Sequence, residues 1–140
     1  MTDVVIGAVL IPGAKAPKLI TRKMIKKMRP GSVLVDVCID QGGVSETSHP
    51  TSHSDPTFFV DGVLHYCVSN MPGAYGQTAT LAYSNAVLPY VLKLVRSDLK
   101  TVLRQDAGLA CGLNAAKGQL TYKTVAESLK IPFTSWERLL

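Results

Sequence analysis

The chain opens on an unbroken apolar run, Asp3-Val-Val-Ile-Gly-Ala-Val-Leu10, with no alternation of polar and apolar positions. A β-branched stretch of this kind predicts a parallel strand covered on both faces. It ends at Pro12-Gly13. Thr21 is placed to cap a helix in which Met24, Ile25 and Met28 fall on one face while Arg22, Lys23, Lys26, Lys27 and Arg29 point elsewhere, and Pro30-Gly31 stops it. Ser32-Val-Leu-Val-Asp-Val37 is a second apolar run. Strand, helix and strand within about 35 residues make a βαβ unit.

From Asp40 to Pro56 the chain turns rich in Gly, Ser, Thr, His and Pro, the composition of a long loop. Thr57-Phe-Phe-Val60 and Val63-Leu-His-Tyr-Cys-Val68 follow, separated by Asp61-Gly62, a pair that signals a tight hairpin. After Asn70-Met-Pro-Gly73 the texture changes. Thr78 to Arg96 is apolar with a helical period, and Pro89 predicts a kink in it. The remainder reads as shorter helices broken at Gly108, Gly112 and Gly118, the last running from Thr124 to Lys130 before Pro132. An α/β first half therefore meets a helical second half, with the seam at Gly73 to Gln77.

Composition narrows the function classes. The chain has 140 residues, 46% hydrophobic and 18% charged, enough apolar material for a core and too little charge for disorder. A net charge of +5 with 6% aromatic residues argues against a nucleic-acid stacking platform. Cys38, Cys67 and Cys111 lie far apart, which points to reduced thiols in a cytoplasmic protein rather than to a disulfide framework or a zinc ribbon. Gly62 to Leu92 carries no Asp, Glu, Lys or Arg, but Pro72, Gly73, Gly76 and Pro89 interrupt it. We read it as protein interior and not as a membrane span.

Candidate chemistry clusters at strand ends. Asp40, followed by Gln41-Gly42-Gly43, sits past the second apolar run, where ligands of parallel α/β sheets bind and where glycines let a backbone approach a ligand closely. Capping a loop explains an acid there equally well. Gly7 to Gly13 and Val68 to Pro72 end the other runs similarly, so a small-molecule crevice and ordinary turn chemistry stand side by side. His49, His53 and Asp55 have metal-ligand residue types, but Pro50 opposes the helix that an H-x-x-x-H pair needs, and a polar loop is favoured over a metal site. The seven bases from Lys15 to Arg29 read as a solvated face before they read as a phosphate site. Cys38 reads as a core thiol, since no histidine adjoins it to activate it. No G-x-G-x-x-G occurs anywhere.

Four strings carry a specific likeness: Val9-Leu-Ile-Pro-Gly-Ala-Lys-Ala-Pro-Lys-Leu-Ile20, Met28-Arg-Pro-Gly-Ser-Val-Leu-Val-Asp-Val-Cys-Ile-Asp-Gln-Gly-Gly43, Glu46-Thr-Ser-His-Pro-Thr-Ser-His-Ser-Asp-Pro-Thr57, and His65-Tyr-Cys-Val-Ser-Asn-Met-Pro-Gly73. Together they closely resemble bacterial L-alanine dehydrogenase, and the likeness extends through Gly112-Leu-Asn and Val125-Ala-Glu. The resemblance implies the C-terminal portion of a two-domain enzyme. Residues 1–74 would be the second half of a Rossmann-type parallel sheet in the NAD-binding domain. Residues 75–140 would supply the long connecting helix and the helical C-terminal part of the substrate domain.

By the same resemblance the activity is the oxidation of L-alanine to pyruvate and ammonia with hydride passing to NAD, in an enzyme that is usually a hexamer. Val9 and Leu10 match positions on the adenosine side of the NAD site. Val37, Cys38, Ile39 and Asp40 match the segment at the nicotinamide, with Asp40 as the catalytic aspartate. Val68, Ser69, Asn70 and Met71 match the last NAD-contacting loop. The family's catalytic histidine, its substrate-binding lysine and arginine, its glycine fingerprint and its ribose-binding acid have no counterpart among these residues. Ala74-Tyr-Gly-Gln77 also departs from the expected shorter-side-chain, often proline-containing linker. The expectation is that the 140 residues alone neither turn over alanine nor bind NAD appreciably. A non-catalytic assembly module, self-associating or pairing with a separate N-terminal piece, is the alternative. The related transhydrogenase family would favour a membrane partner, whereas the Ser-His-Pro-Thr-Ser-His string and the helical tail favour the soluble enzyme.

Overall fold

The computed structural model describes residues 2–140, and the chain divides into two compact units between Ala74 and Tyr75. The first unit is built on four short strands, β1 (Val4–Gly7), β2 (Val33–Asp36), β3 (Thr57–Val60) and β4 (Val63–Tyr66), with helix α1 (Arg22–Ile25) between the first two. Their order in the sheet is β1-β2-β4-β3. β1, β2 and β4 run parallel, with Val4 opposite Val33, Gly7 opposite Asp36 and Val35 opposite Tyr66. β3 closes one edge antiparallel to β4. Asp61 (φ 50°) and Gly62 (φ 80°) both adopt left-handed backbone between β3 and β4, the geometry a two-residue hairpin with the native twist requires.

Leu34, Val63 and Ile25 form a fully buried core, with Val5, Ile20 and Met28 packed around it. Helix α1 starts as expected: the Thr21 hydroxyl accepts the Met24 amide at 3.3 Å, and the Glu46 carboxylate accepts the Arg22 amide at 2.8 Å. It lasts one turn instead of running to Pro30. Of the predicted apolar face, Ile25 and Met28 pack into the core, whereas Met24 is 55% exposed. β1 is not covered on both faces either. It pairs with β2 alone among the described residues, and Val4 and Ile6 lie exposed on one of its faces.

In the second unit, α2 (Gly76–Arg96) is a single helix of 21 residues that runs on through Pro89. The reading of Gly62 to Leu92 as interior holds at β4 and just after it, where Val63, His65, Cys67 and Val68 are buried, and fails over α2, none of whose residues is buried and where Leu81, Tyr83, Leu88 and Val95 are exposed. α3 (Leu99–Gln105) and α4 (Ala107–Gly112) follow, each started by an aspartate, Asp98 on the Thr101 amide and Asp106 on the Leu109 amide, both at 3.0 Å. Gly108 lies within α4 and does not break it. Gly118 breaks no helix but sits with Lys117 in the left-handed turn of a small hairpin, β5 (Ala115–Ala116) and β6 (Gln119–Leu120), absent from the all-helical expectation. α5 (Lys123–Leu129) ends at left-handed Lys130, and α6 (Trp136–Leu139) lies beyond Pro132, where no element was expected.

Candidate functional site

Because β1, β2 and β4 are parallel, their C-terminal ends share one edge of the sheet, the edge at which α/β sheets bind ligands. The Val37 amide donates to the Gly7 carbonyl at 2.8 Å and extends the β1–β2 ladder by one step. The chain then tightens into a 3₁₀ turn at Ile39–Gln41, which ends in left-handed Gly42 (φ 99°) and Gly43 (φ 74°).

That turn is fastened from below by an acid the sequence reading passed over. Asp36, the last residue of β2, is fully buried. Its Oδ2 accepts the Val44 amide at 2.9 Å and the Ser45 amide at 3.4 Å, and its Oδ1 accepts the Cys38 thiol at 3.2 Å. A Cβ on Gly43 would lie 2.9 Å from Asp36 Oδ2, and one on Gly7 would overlap the Val44 side chain. Gly43 is therefore small so that the loop can fold onto Asp36, not so that a ligand can approach. From outside, the Lys18 ammonium donates to the carbonyls of Gly42 (2.5 Å) and Ser45 (2.9 Å). Elsewhere in the basic run Arg22 pairs with Asp61 at 3.2 Å and Arg29 with Asp3 at 3.5 Å.

Fixing that turn brings Asp40 to the end of β4. The Asn70 amide donates to Asp40 Oδ2 at 3.2 Å. Asn70 is left-handed (φ 54°), a conformation Asn tolerates better than most residues, and its carbonyl accepts the Gly73 amide at 2.8 Å. The His53 ring Nε2 donates to the same carbonyl at 3.1 Å. His53 arrives there because Thr51 is stitched to the end of β4, its amide donating to the Cys67 carbonyl (2.9 Å) and its carbonyl accepting the Ser69 amide (3.2 Å).

The ten residues singled out from the sequence divide by exposure. Leu10 (67%) and Val37 (48%) present open apolar surface, and Asp40 and Asn70 are exposed polar residues. Val9, Ser69 and Met71 are half-buried, with Val9 packed against the cluster of Ala16, Cys38 and Val44. The side chains of Cys38, Ile39 and Val68 are buried and serve the core. Burial pushes the Cys38 thiol above its ordinary value, and the neighbouring Asp36 carboxylate pushes it further the same way, so the thiol is not activated. Burial raises Cys67 likewise.

The histidines have separate employments. The His49 ring stacks on Phe58 with centroids 3.7 Å apart, while His53 serves Asn70. Among the described residues no group of three His, Cys, Asp or Glu side chains is placed to hold a metal. His65, unremarked in sequence, is fully buried in β4. Its Nδ1 donates to the Val63 carbonyl at 2.9 Å, so its Nε2 accepts from the Thr47 hydroxyl at 2.7 Å, and Ser45 Oγ lies 2.8 Å from Thr47 Oγ1. The loop is thus held on Asp36 at one end and on His65 at the other.

Comparison with known proteins gives the chain its family. A family model described as alanine dehydrogenase/PNT, C-terminal domain, matches residues 1–123. An alanine dehydrogenase of Halomonas elongata is 54% identical over 139 residues, covering 99% of this chain and 38% of that protein. Alanine dehydrogenase 2 of Staphylococcus aureus is 51% identical over 140 residues with the same coverage. A solved L-alanine dehydrogenase structure superposes with a TM-score of 0.74 at 51% identity, covering 91% of this chain and 35% of that one. A transhydrogenase from Sinorhizobium meliloti superposes at 0.59 with 34% identity, over 66% of this chain and 27% of that one. The chain spans 38% of the length of the curated relatives it matches, and no helix among its described residues is long and apolar enough to cross a membrane. With the family model covering most of the sequence and the α/β unit superposing as it does, the chain belongs to the alanine dehydrogenase/PNT C-terminal-domain family.

Proposed function

We propose that residues 1–74 form one wall of the NAD site of a cytoplasmic NAD-dependent L-alanine dehydrogenase, with Asp40 as its catalytic carboxylate. The observation that carries this is the hydrogen bond from the Asn70 amide to Asp40 Oδ2, which joins the ends of β2 and β4 at the ligand-binding edge of the sheet. The residues present suit a dinucleotide. Leu10 and Val37 offer exposed apolar surface for flat rings, and Asp40 and Asn70 offer exposed polar side chains beside half-buried Val9, Ser69 and Met71. When bound, NAD supplies the acceptor for the hydride leaving the alanine α-carbon.

The chain's own contribution is electrostatic and positional. The Asn70 amide engages one carboxylate oxygen of Asp40, which is exposed beyond the ends of β2 and β4. From there it stabilises positive charge developing on the substrate nitrogen as an iminium forms, and it orients the water whose attack releases ammonia and leaves pyruvate. An acid-base histidine and a carboxylate-binding arginine have no counterpart here, so the 140 residues alone do not complete the reaction or bind NAD appreciably. They act with an N-terminal piece or within a homo-oligomer.

A second reading, a non-catalytic assembly module, draws on one observation: among the described residues β1 leaves its outer edge unpaired and exposes Val4 and Ile6, which favours recruitment of another strand. Mixing separates the two. The isolated chain is expected to give no NADH from L-alanine, and addition of the part of the Halomonas elongata enzyme that precedes the matched segment is expected to restore it. Association without any NADH formation would favour the assembly module.

A further inference from the structure

We propose that His53 is a positioning residue that holds the Asn70 amide on the Asp40 carboxylate. The inference rests on the role proposed above for Asp40, but the contact itself is local and separately measurable. Asn70 sits in left-handed backbone, which Asn tolerates, so what fixes its loop must be read from its hydrogen bonds. Two donors do so from the same side: the Gly73 amide at 2.8 Å and His53 Nε2 at 3.1 Å both end on the Asn70 carbonyl. Fixing that carbonyl fixes the loop that carries the Asn70 N–H, and this N–H is the group that meets Asp40.

The arrangement is built from the loop side. Thr51 is paired with Cys67 and Ser69, so the chain travels beside the end of β4, and two residues later the His53 ring comes level with Asn70. The Ser52–Asp55 turn, closed by the Asp55 amide on Ser52 Oγ at 3.2 Å, keeps the ring there. A Cβ on Gly73 would lie 3.3 Å from both His53 Nε2 and Asn70 Nδ2, so a glycine is what lets ring and loop approach. The serine and histidine-rich loop, read in sequence as a polar loop rather than a metal site, thereby meets the strand end that carries Asn70 through His53. Donation comes from Nε2–H and needs no charge on the ring, so a neutral amide of similar reach replaces it.

The test has two arms. In the 140-residue chain, the backbone amide resonance of Asn70 is followed by NMR in wild type, Asp40→Asn, His53→Ala and His53→Gln. Asp40→Asn is expected to shift that resonance upfield, His53→Ala to shift it in the same direction, and His53→Gln to restore the wild-type position. In the Halomonas elongata enzyme with its matched segment replaced by this chain, His53→Ala is expected to lower kcat roughly tenfold or more with little change in KM for NAD, and His53→Gln to recover most of it. An Asn70 resonance unmoved by His53→Ala, or His53→Ala and wild type with equal kcat while Asp40→Asn is inactive, overturns the role of His53 and leaves that of Asp40 standing. An active Asp40→Asn enzyme instead overturns the reading of Asp40, and the NMR arm still decides whether His53 holds Asn70.

Discussion

The Cys38 thiol donates to the Asp36 carboxylate at 3.2 Å, with both side chains withdrawn from water at the end of β2. Two residues apart, they face the same interior, and the carboxylate is shared with the amides of Val44 and Ser45. Asp36 is thus the peg on which the site-forming loop hangs. Replacing it by alanine strips two buried amides and a thiol of their acceptor, a change that costs about 3 kcal/mol. The urea midpoint of the first unit in Asp36→Ala should fall accordingly, with Asp36→Asn intermediate because it keeps one carbonyl acceptor. An unchanged midpoint would show that the loop is held by other contacts.

The thiols give a second, independent reading of the same interior. Cys38 and Cys67 are buried and their pKa values are raised, whereas Cys111 is exposed. In the folded chain near neutral pH one thiol should react promptly with a thiol reagent, and three after unfolding. The sign of the pH dependence follows from the same shifts. A thiol whose pKa is raised on folding adds stability that is complete below the ordinary value of 9.0 and is lost as pH rises through the raised value. The drop in urea midpoint above that pH should be smaller in a Cys38→Ala, Cys67→Ala double variant. Prompt labelling of all three thiols in folded protein would contradict their burial.

At the opposite end of the sheet, Gly62 is left-handed and its position is backed by Pro30, whose Cβ would lie 3.4 Å from an added methyl. Gly62→Ala should therefore destabilise the first unit by roughly 1 kcal/mol through backbone strain, without altering the Asp40–Asn70 contact at the other end of the strands. Thermal unfolding checks the first half of this statement. An equal or raised midpoint would mean that the hairpin relaxes freely.

What could be read from sequence and what could not divides along physical lines. The four apolar runs and the Asp61-Gly62 turn were legible because strand burial and left-handed backbone leave local marks. The Asp40 and Asn70 neighbourhoods were legible as strand ends, with the family strings assigning them roles. Asp36 was missed because an acid inside an apolar run differs from its neighbours only in what it meets in three dimensions, although the Gly42-Gly43 pair that folds onto it was a usable signal. His65 was missed for the same reason, and His53, weighed as a metal ligand, was not linked to Asn70, their partners lying 18 and 17 residues away. The β5–β6 hairpin was missed because strands of two residues have no period, and the burial expected for α2 and for one face of β1 is not supplied by contacts among the described residues.

The most direct measurement is the rate of NADH formation from L-alanine by the Halomonas elongata enzyme carrying these 140 residues in place of its own matched segment, with and without Asp40→Asn. The wild-type hybrid should turn over and Asp40→Asn should lower kcat about 100-fold or more while the protein remains folded. Equal rates in the two hybrids would contradict the placement of Asp40 at the reacting carbon.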